Sequence, residues 1–234
     1  MSLELKQGAV FIADAHENGA NRKDFERFLR KMIAGELKTP QLFLMGDMFD
    51  FVTGGVKHSV KSHKREIDMI KQIAENREVF YFEGNHDFNL KNVFKNVKVI
   101  PLEAQPLFFE SGGVRFAISH GDTYVGFWYD VYTLFIRNKV VDFIGNALDV
   151  GGWITRKIRN SQKDKNLCRE IDDFENKISE RLKNYKNCDF IVEGHYHQNK
   201  TFTVGDKRYI NLAAFACGSV FYVFNDGEFA EVRL

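Results

Sequence analysis

Five short polar clusters, each carrying histidine or aspartate, follow five apolar runs along the chain, and this placement restricts the fold more than any other feature. Asp14-Ala15-His16 follows the run 9–13. Gly46-Asp47-Met48-Phe49-Asp50 follows 41–45, and Gly84-Asn85-His86-Asp87 follows 78–83. Ser119-His120-Gly121-Asp122 and Gly194-His195-Tyr196-His197 close the runs 114–119 and 190–193. Short apolar runs bounded by turn residues read as buried strands. Two helical patterns separate the first three. In 21–37, Phe25, Phe28, Leu29, Met32 and Ile33 share one helix face, and the charged stretch 59–76 turns Ile67, Ile70 and Ile73 inward. Strand, helix, strand, helix, strand implies a mostly parallel sheet with right-handed crossovers.

The second half reads differently. A hairpin is predicted over 107–119 around Gly112-Gly113, helix from 123 to about 185, and strands at 190–193, 201–204, 207–212, 220–224 and 228–232. The expected organisation is an α/β core, 1–123 with 186–234, interrupted by a helical cap insertion at 124–185.

Net charge is +1, so no global basic field draws the chain to nucleic acid. Cys168, Cys188 and Cys217 lack metal-ligand spacing and are expected as free thiols in a reducing cytoplasm. No signal-peptide core is visible near the start, and the uncharged stretch 209–225 reads as strands, so a soluble, cytoplasmic protein is expected. His58 and His63 lie among lysines and read as solvated.

Ligands of open α/β sheets gather beyond the carboxyl ends of the strands. Residues i and i+2 of extended chain face the same side, which pairs Asp14 with His16 and His195 with His197. With Asp47, Asn85 and His120 they form a mixed oxygen and nitrogen set too large for one tetrahedral ion and suited to two. Imidazole with carboxylate fits Mn, Fe or Zn better than Ca. Two divalent ions against two aspartates leave an electropositive centre that attracts phosphate and can clamp an in-line displacement. His86 is placed to act as general acid, with Asp50 orienting its ring. Asp87 and Asp122 read as loop supports.

Taken in order, the blocks DAH, GDMFD, GNHD, HGD and GHYH resemble the calcineurin-like metallophosphoesterase family. The resemblance implies a sandwich of two mixed β-sheets flanked by helices. It implies one metal on Asp14, His16, Asp47 and His197, and another on Asp47, Asn85, His120 and His195. His86 would be the acid and Asp50 its partner. The implied reaction is hydrolysis of a P–O bond by metal-activated hydroxide, with Mn as the expected metal. HGDTY, the phrase GDMFDF before a Gly-rich loop, and the insertion after His120 resemble the UDP-2,3-diacylglucosamine diphosphatase branch of lipid A synthesis. That branch carries Arg where His86 stands and Glu where Asp50 stands. The His86 and Asp50 pair keeps open a soluble phosphomonoesterase or phosphodiesterase on nucleotides or phosphoproteins. A non-catalytic scaffold would be expected to have lost ligands that are all present here.

The stretch 124–166 holds both tryptophans, Trp128 and Trp153, and many other apolar residues. Arg137, Lys139, Arg156, Lys157, Arg159, Lys163 and Lys165 outnumber Asp130, Asp142, Asp149 and Asp164. Basic amphipathic helices of this kind can lie in a membrane interface or cover an acyl chain. The expected partner is a phosphate compound, with a lipid-linked UDP-sugar as the specific expectation and the inner membrane surface as its place. Tyr124, Trp128, Asn160, Ser161 and Lys165, with Asn85, are the candidate substrate contacts. Packing of the aromatics against the core or a second subunit is the competing expectation.

Overall fold

The computed structural model describes residues 2–18, 22–162 and 165–234. Met1, Asn21, Lys163 and Asp164, which enter the sequence reading, lie outside them.

Two six-stranded sheets face each other. One orders its strands as Glu228–Arg233, Val220–Asn225, Ala9–Ile12, Gln41–Leu44, Glu78–Phe82 and Lys98–Ile100. Its strands from Ala9 to Ile100 run parallel, and Val220–Asn225 pairs antiparallel both with Ala9–Ile12 and with Glu228–Arg233. The other runs Leu3–Glu4, Leu107–Ser111, Val114–Ile118, Phe190–Glu193, Lys207–Asn211 and Lys200–Val204. The fold is therefore the expected mixed α/β sandwich.

The apolar runs are continuous because the first sheet is covered on both faces. Val10 and Ile12 point to the helices Arg22–Ala34 and Lys64–Ile73, where Phe25, Phe28, Met32 and Ile70 are buried. Ala9 and Phe11 point the other way, to the layer between the sheets, where Phe43, Phe80, Phe109, Phe116 and Phe224 pack. Phe11 and Phe43 stack with centroids 4.2 Å apart. This period-two division fixes register, since a one-residue slip would exchange the two layers.

Four short strands escaped the sequence reading: Leu3–Glu4, Val52–Thr53, Asp87–Phe88 and Lys98–Ile100. The stretch 59–76 is two helices, Lys57–Ser62 and Lys64–Ile73, broken at His63. His63 is not solvated. It is fully buried, pairs through Nδ1 with Glu17 and packs on Phe49.

The insertion holds three helices, Phe127–Ile136, Lys139–Leu148 and Trp153–Gln162. A fourth, Phe174–Leu182, packs Phe174, Ile178 and Leu182 against Tyr209 and Ile191 of the second sheet. The cap helices are inside out for helices docked on a core. Thr133, Asp142, Asp149 and Thr155 are buried, while Trp128 is 80% exposed and Phe143 73%. Docking is polar: Asp142 accepts from Thr53 Oγ1 at 2.8 Å and Asn89 Nδ2 at 2.7 Å. Asp149 caps the third helix through the N–H groups of Ile154 and Thr155.

The free-thiol expectation fails for two cysteines. Cys168 and Cys217 form a disulfide across 49 residues, with Cα atoms 5.6 Å apart, and Cys188 is the buried free thiol. No pattern in the sequence marks this pair, because the fold alone brings the segment after the cap beside the turn Phe215–Cys217.

Candidate active site

The five clusters meet at one end of the sandwich. Asp14, His16, Asp47, His195 and His197 all take the left-handed backbone, with φ between 42° and 62°. That conformation is costly for residues with a Cβ and persists where surrounding structure imposes it. Here it turns each side chain out of its strand toward a common centre. Two glycines allow the close approach. A Cβ on Gly194 would stand 2.5 Å from Asp14 Oδ2, and one on Gly84 would collide with Asp47 Oδ1.

Donor atoms of Asp14, His16 and His197 cluster within 4.8 Å of one another, as do those of Asp47, His120 and His195. A third group joins His16, Asp47 and His86. His197 Nε2 is 3.2 Å from Asp14 Oδ1, and His120 Nε2 is 3.5 Å from Asp47 Oδ2 and 3.2 Å from His195 Nδ1. Asp47 and His16 thus stand between two groups.

The surrounding hydrogen bonds select the ring nitrogen that faces the centre. His120 Nδ1 donates to the Met45 carbonyl at 2.8 Å, and His197 Nδ1 to the Leu167 carbonyl at 2.7 Å. A carbonyl only accepts, so these rings carry hydrogen on Nδ1 and leave the Nε2 lone pair for a cation. His16 Nδ1 lies 3.3 Å from Asp50 Oδ1, close enough for ionic attraction but without a hydrogen bond.

Asp50 holds the His86 ring through its backbone carbonyl, which accepts from Nδ1 at 2.8 Å, while its carboxylate lies beside His16, a metal-ligand candidate. Asp87 supports the loops as expected. Its carboxylate accepts from the N–H groups of Asp47, Met48 and Gly84 and from the Tyr81 hydroxyl. Burial and the Asp47 charge push Asp87 up to about 7. Asp122 accepts from Tyr129.

Electrostatics divide the imidazoles. Burial opposes the charged form of His120, but the adjacent Asp47 outweighs it and lifts its pKa well above the usual histidine value. Burial and His120 depress His195 to about 4. Burial raises Asp14 and Asp47, yet His197 and His120 respectively hold them below the ordinary aspartate range.

The donors fit cations. His16 Nε2 and Asn85 Oδ1 are buried without a hydrogen-bond partner among the described residues. Such orphaned lone pairs are costly unless something electropositive sits against them. A mixed N and O set sharing one carboxylate fits a pair of divalent ions.

Two cavities flank the centre, and Lys165 lines both. One, of about 400 Å³, lies between core and cap. His86, Asn85 and Asp50 stand at one end and Ile136, Val141, Ile154 and Ile158 line its apolar part. The other, of about 380 Å³, opens beside His195 and His197. Tyr124, Trp128, Asn160 and Ser161 line neither. Tyr124 packs edge-on against Tyr185, Trp128 faces solvent, and Ser161 bonds the Ile158 carbonyl of its own helix.

A sandwich with this centre defines a metal-dependent phosphoric ester hydrolase, and residues 9–199 match the family model of the calcineurin-like phosphoesterases. The chain belongs to that family. Curated relatives include the UDP-2,3-diacylglucosamine hydrolase of Haemophilus ducreyi, 26% identical over 194 residues, which span 80% of this chain and 83% of that protein. The enzyme of the same name from Escherichia coli is 27% identical over 204 residues, 81% of each chain. Among solved structures, an archaeal phosphodiesterase aligns over 97% of this chain and all of its own with a TM-score of 0.49 and 13% identity.

Sequence reasoning missed Arg137, Glu193 and the disulfide. Glu193 accepts from Arg181, Tyr185 and Tyr209 beneath His195, and a lone buried glutamate at a strand end was its only signal.

Proposed function

We propose that the protein hydrolyses the diphosphate of a lipid-bearing nucleotide sugar of the UDP-2,3-diacylglucosamine type, using two manganese ions, at the inner membrane surface. The observation that carries this is the cavity between core and cap. It joins the polar end at His86 and Asn85 to an apolar chamber walled by Ile136, Val141, Ile154 and Ile158. A phosphate at the centre and an acyl chain in the chamber satisfy both ends. The substrate named for the curated relatives has this chemistry.

Asp14, His16, Asp47 and His197 would hold one ion, and Asp47, Asn85, His120 and His195 the other. When bound, two such ions supply Lewis acidity to phosphoryl oxygens and an acidified water. His86, anchored by the Asp50 carbonyl, carries a proton toward the leaving oxygen. The outward apolar face of the cap, with Trp128, Leu134, Phe135 and Phe143 exposed, suits a lipid interface flanked by Arg and Lys. No helix among the described residues is long and apolar enough to cross a membrane.

Manganese-loaded protein given dispersed UDP-2,3-diacylglucosamine should release UMP and the lipid monophosphate. Filling the chamber with Ile154→Trp should raise KM for that substrate by tenfold or more. His86 favours a second reading, a soluble phosphoesterase. Turnover of soluble esters with no UMP released from the lipid would select it. Trp128→Ser with Phe143→Ser should lower co-sedimentation with anionic vesicles, and unchanged binding would remove the membrane from the proposal.

A further inference from the structure

The second cavity has chemistry of its own. It opens on the side of the centre away from the acyl chamber. His16 lies between His86, which faces the chamber, and His197, which faces this cavity, with ring centroids 5.1 Å and 5.3 Å away. Its walls carry Lys165, Arg169 and Lys177, against a single carboxylate, Asp172. Tyr196 supplies an aromatic surface next to the metal-ligand candidates. Leu167 and Ile171 are its aliphatic lining residues, and none of the isoleucines and valines that wall the first cavity reaches it.

Three cations, one carboxylate and an aromatic ring beside a phosphate-binding centre describe a nucleotide rather than a lipid. Cations attract a phosphate dianion, a carboxylate accepts from ribose hydroxyls, and an aromatic ring packs on a base. We propose that this cavity holds the nucleoside monophosphate half of a diphosphate substrate, with Arg169 and Lys177 drawing in its charge and Asp172 reading the ribose. The idea rests on the diphosphate reading above and completes it. Lys165, which lines both cavities, marks where the bridging diphosphate crosses from one to the other. A substrate held this way spans the centre, with lipid on the His86 side and nucleotide on the His197 side. Departure of the nucleoside monophosphate then requires only the open side of the site, while the lipid product stays under the cap.

The test is equilibrium binding to the manganese-loaded protein, with UMP, 2′-deoxy-UMP and inorganic phosphate as probes. All three should reach the metals, and only UMP should gain from the full cavity. Wild-type protein should prefer UMP to phosphate. In Arg169→Glu with Lys177→Glu that preference should shrink by tenfold or more, and Asp172→Asn should erase discrimination between UMP and 2′-deoxy-UMP. Thermal unfolding of each variant checks that the fold persists, and Arg169→Gln with Lys177→Gln repeats the test without charge reversal. No preference for UMP in the wild type, or an unchanged preference in the charge variants, overturns the assignment. Preference lost in the variants without hydrolysis of the UDP-lipid by the wild type would keep the cavity assignment and reject the lipid substrate instead.

Discussion

Arg137, at the end of the first cap helix, donates through Nη2 to the carbonyl oxygen of Gly84 at 2.7 Å, one residue before Asn85. Its Nη1 bonds Glu83 Oε2 at 2.9 Å, so one guanidinium ties the cap to the loop carrying Asn85 and His86. Burial lifts the Glu83 carboxyl above the usual range despite Arg137. A carboxyl raised on folding favours the native state at acid pH, and that contribution is lost as pH rises through its folded value.

Arg137→Ala should therefore destabilise the protein by about 3 kcal/mol at neutral pH, since it leaves a buried carboxylate unpaired. The sign of the shift gives the pH dependence. With the cation gone, Glu83 rises further, so the loss should be larger at pH 8 than at pH 5, where the carboxyl takes a proton. Urea denaturation of both proteins at the two pH values measures this. An equal loss at both would mean that Glu83 stays ionised or that the pair is unimportant.

Gly84→Ala should act on the metals more than on the fold. The added Cβ collides with Asp47 Oδ1, which accepts from the His86 N–H, and stands 2.8 Å from the Asp47 nitrogen, which donates to the Asp87 carboxylate. Asp47 stands between the two donor groups, so displacing it should disturb both ions. Elemental analysis after gel filtration should show metal content well below that of the wild type. Full occupancy would show that the loop relaxes around the methyl group.

Metal binding should release protons. His120 is raised above the ordinary histidine value by Asp47 against the effect of burial, and His197 by Asp14 in the same way. Both shifts favour the protonated rings, whose Nε2 proton a cation must displace, whereas His195, depressed to about 4, is held toward its neutral form. Affinity for Mn should thus climb as pH rises from 6 to 8, by up to about tenfold per unit for each proton displaced. Calorimetric titration in buffers of differing ionisation enthalpy counts those protons. A pH-independent affinity would contradict the arrangement.

The clusters were readable from the sequence because each sits where a buried strand stops, and a strand end is visible in the order of residues. Val10 and Phe11 could be placed in the core without being assigned to different layers, because an unbroken apolar run does not reveal which face it serves. Asp50 illustrates a finer limit. Three residues after Asp47 it could reach either His86 or His16, and in the fold it meets both, His86 through its backbone carbonyl and His16 through its carboxylate, a division that spacing alone does not reveal. The cap read correctly as greasy and basic, but its outward orientation depends on Asp142 and Asp149 being buried, the reverse of what polarity alone suggests. Arg137 and the two bridged cysteines owe their roles to contacts across 53 and 49 residues, for which local pattern carries no signal.

Breaking the Cys168–Cys217 bond should weaken both the fold and one metal position. The bridge closes a 49-residue separation, and both cysteines are solvent-exposed. In the chain-entropy account a loop of that length contributes about 4 kcal/mol. Leu167, beside Cys168, gives its carbonyl to His197 Nδ1, and Ala216, beside Cys217, donates its N–H to the Asp14 carbonyl. The bridge thus braces the backbone behind two members of one donor group. Cys168→Ser should lower the urea midpoint and weaken Mn binding, and dithiothreitol should do the same to the wild type. Cys188→Ser should respond to the reductant as the wild type does, because Cys188 is buried and unpaired. A reductant that lowered neither stability nor metal affinity would show that the segment holds its place through its hydrogen bonds, Ile171 N–H to Gln198 Oε1 at 2.7 Å among them.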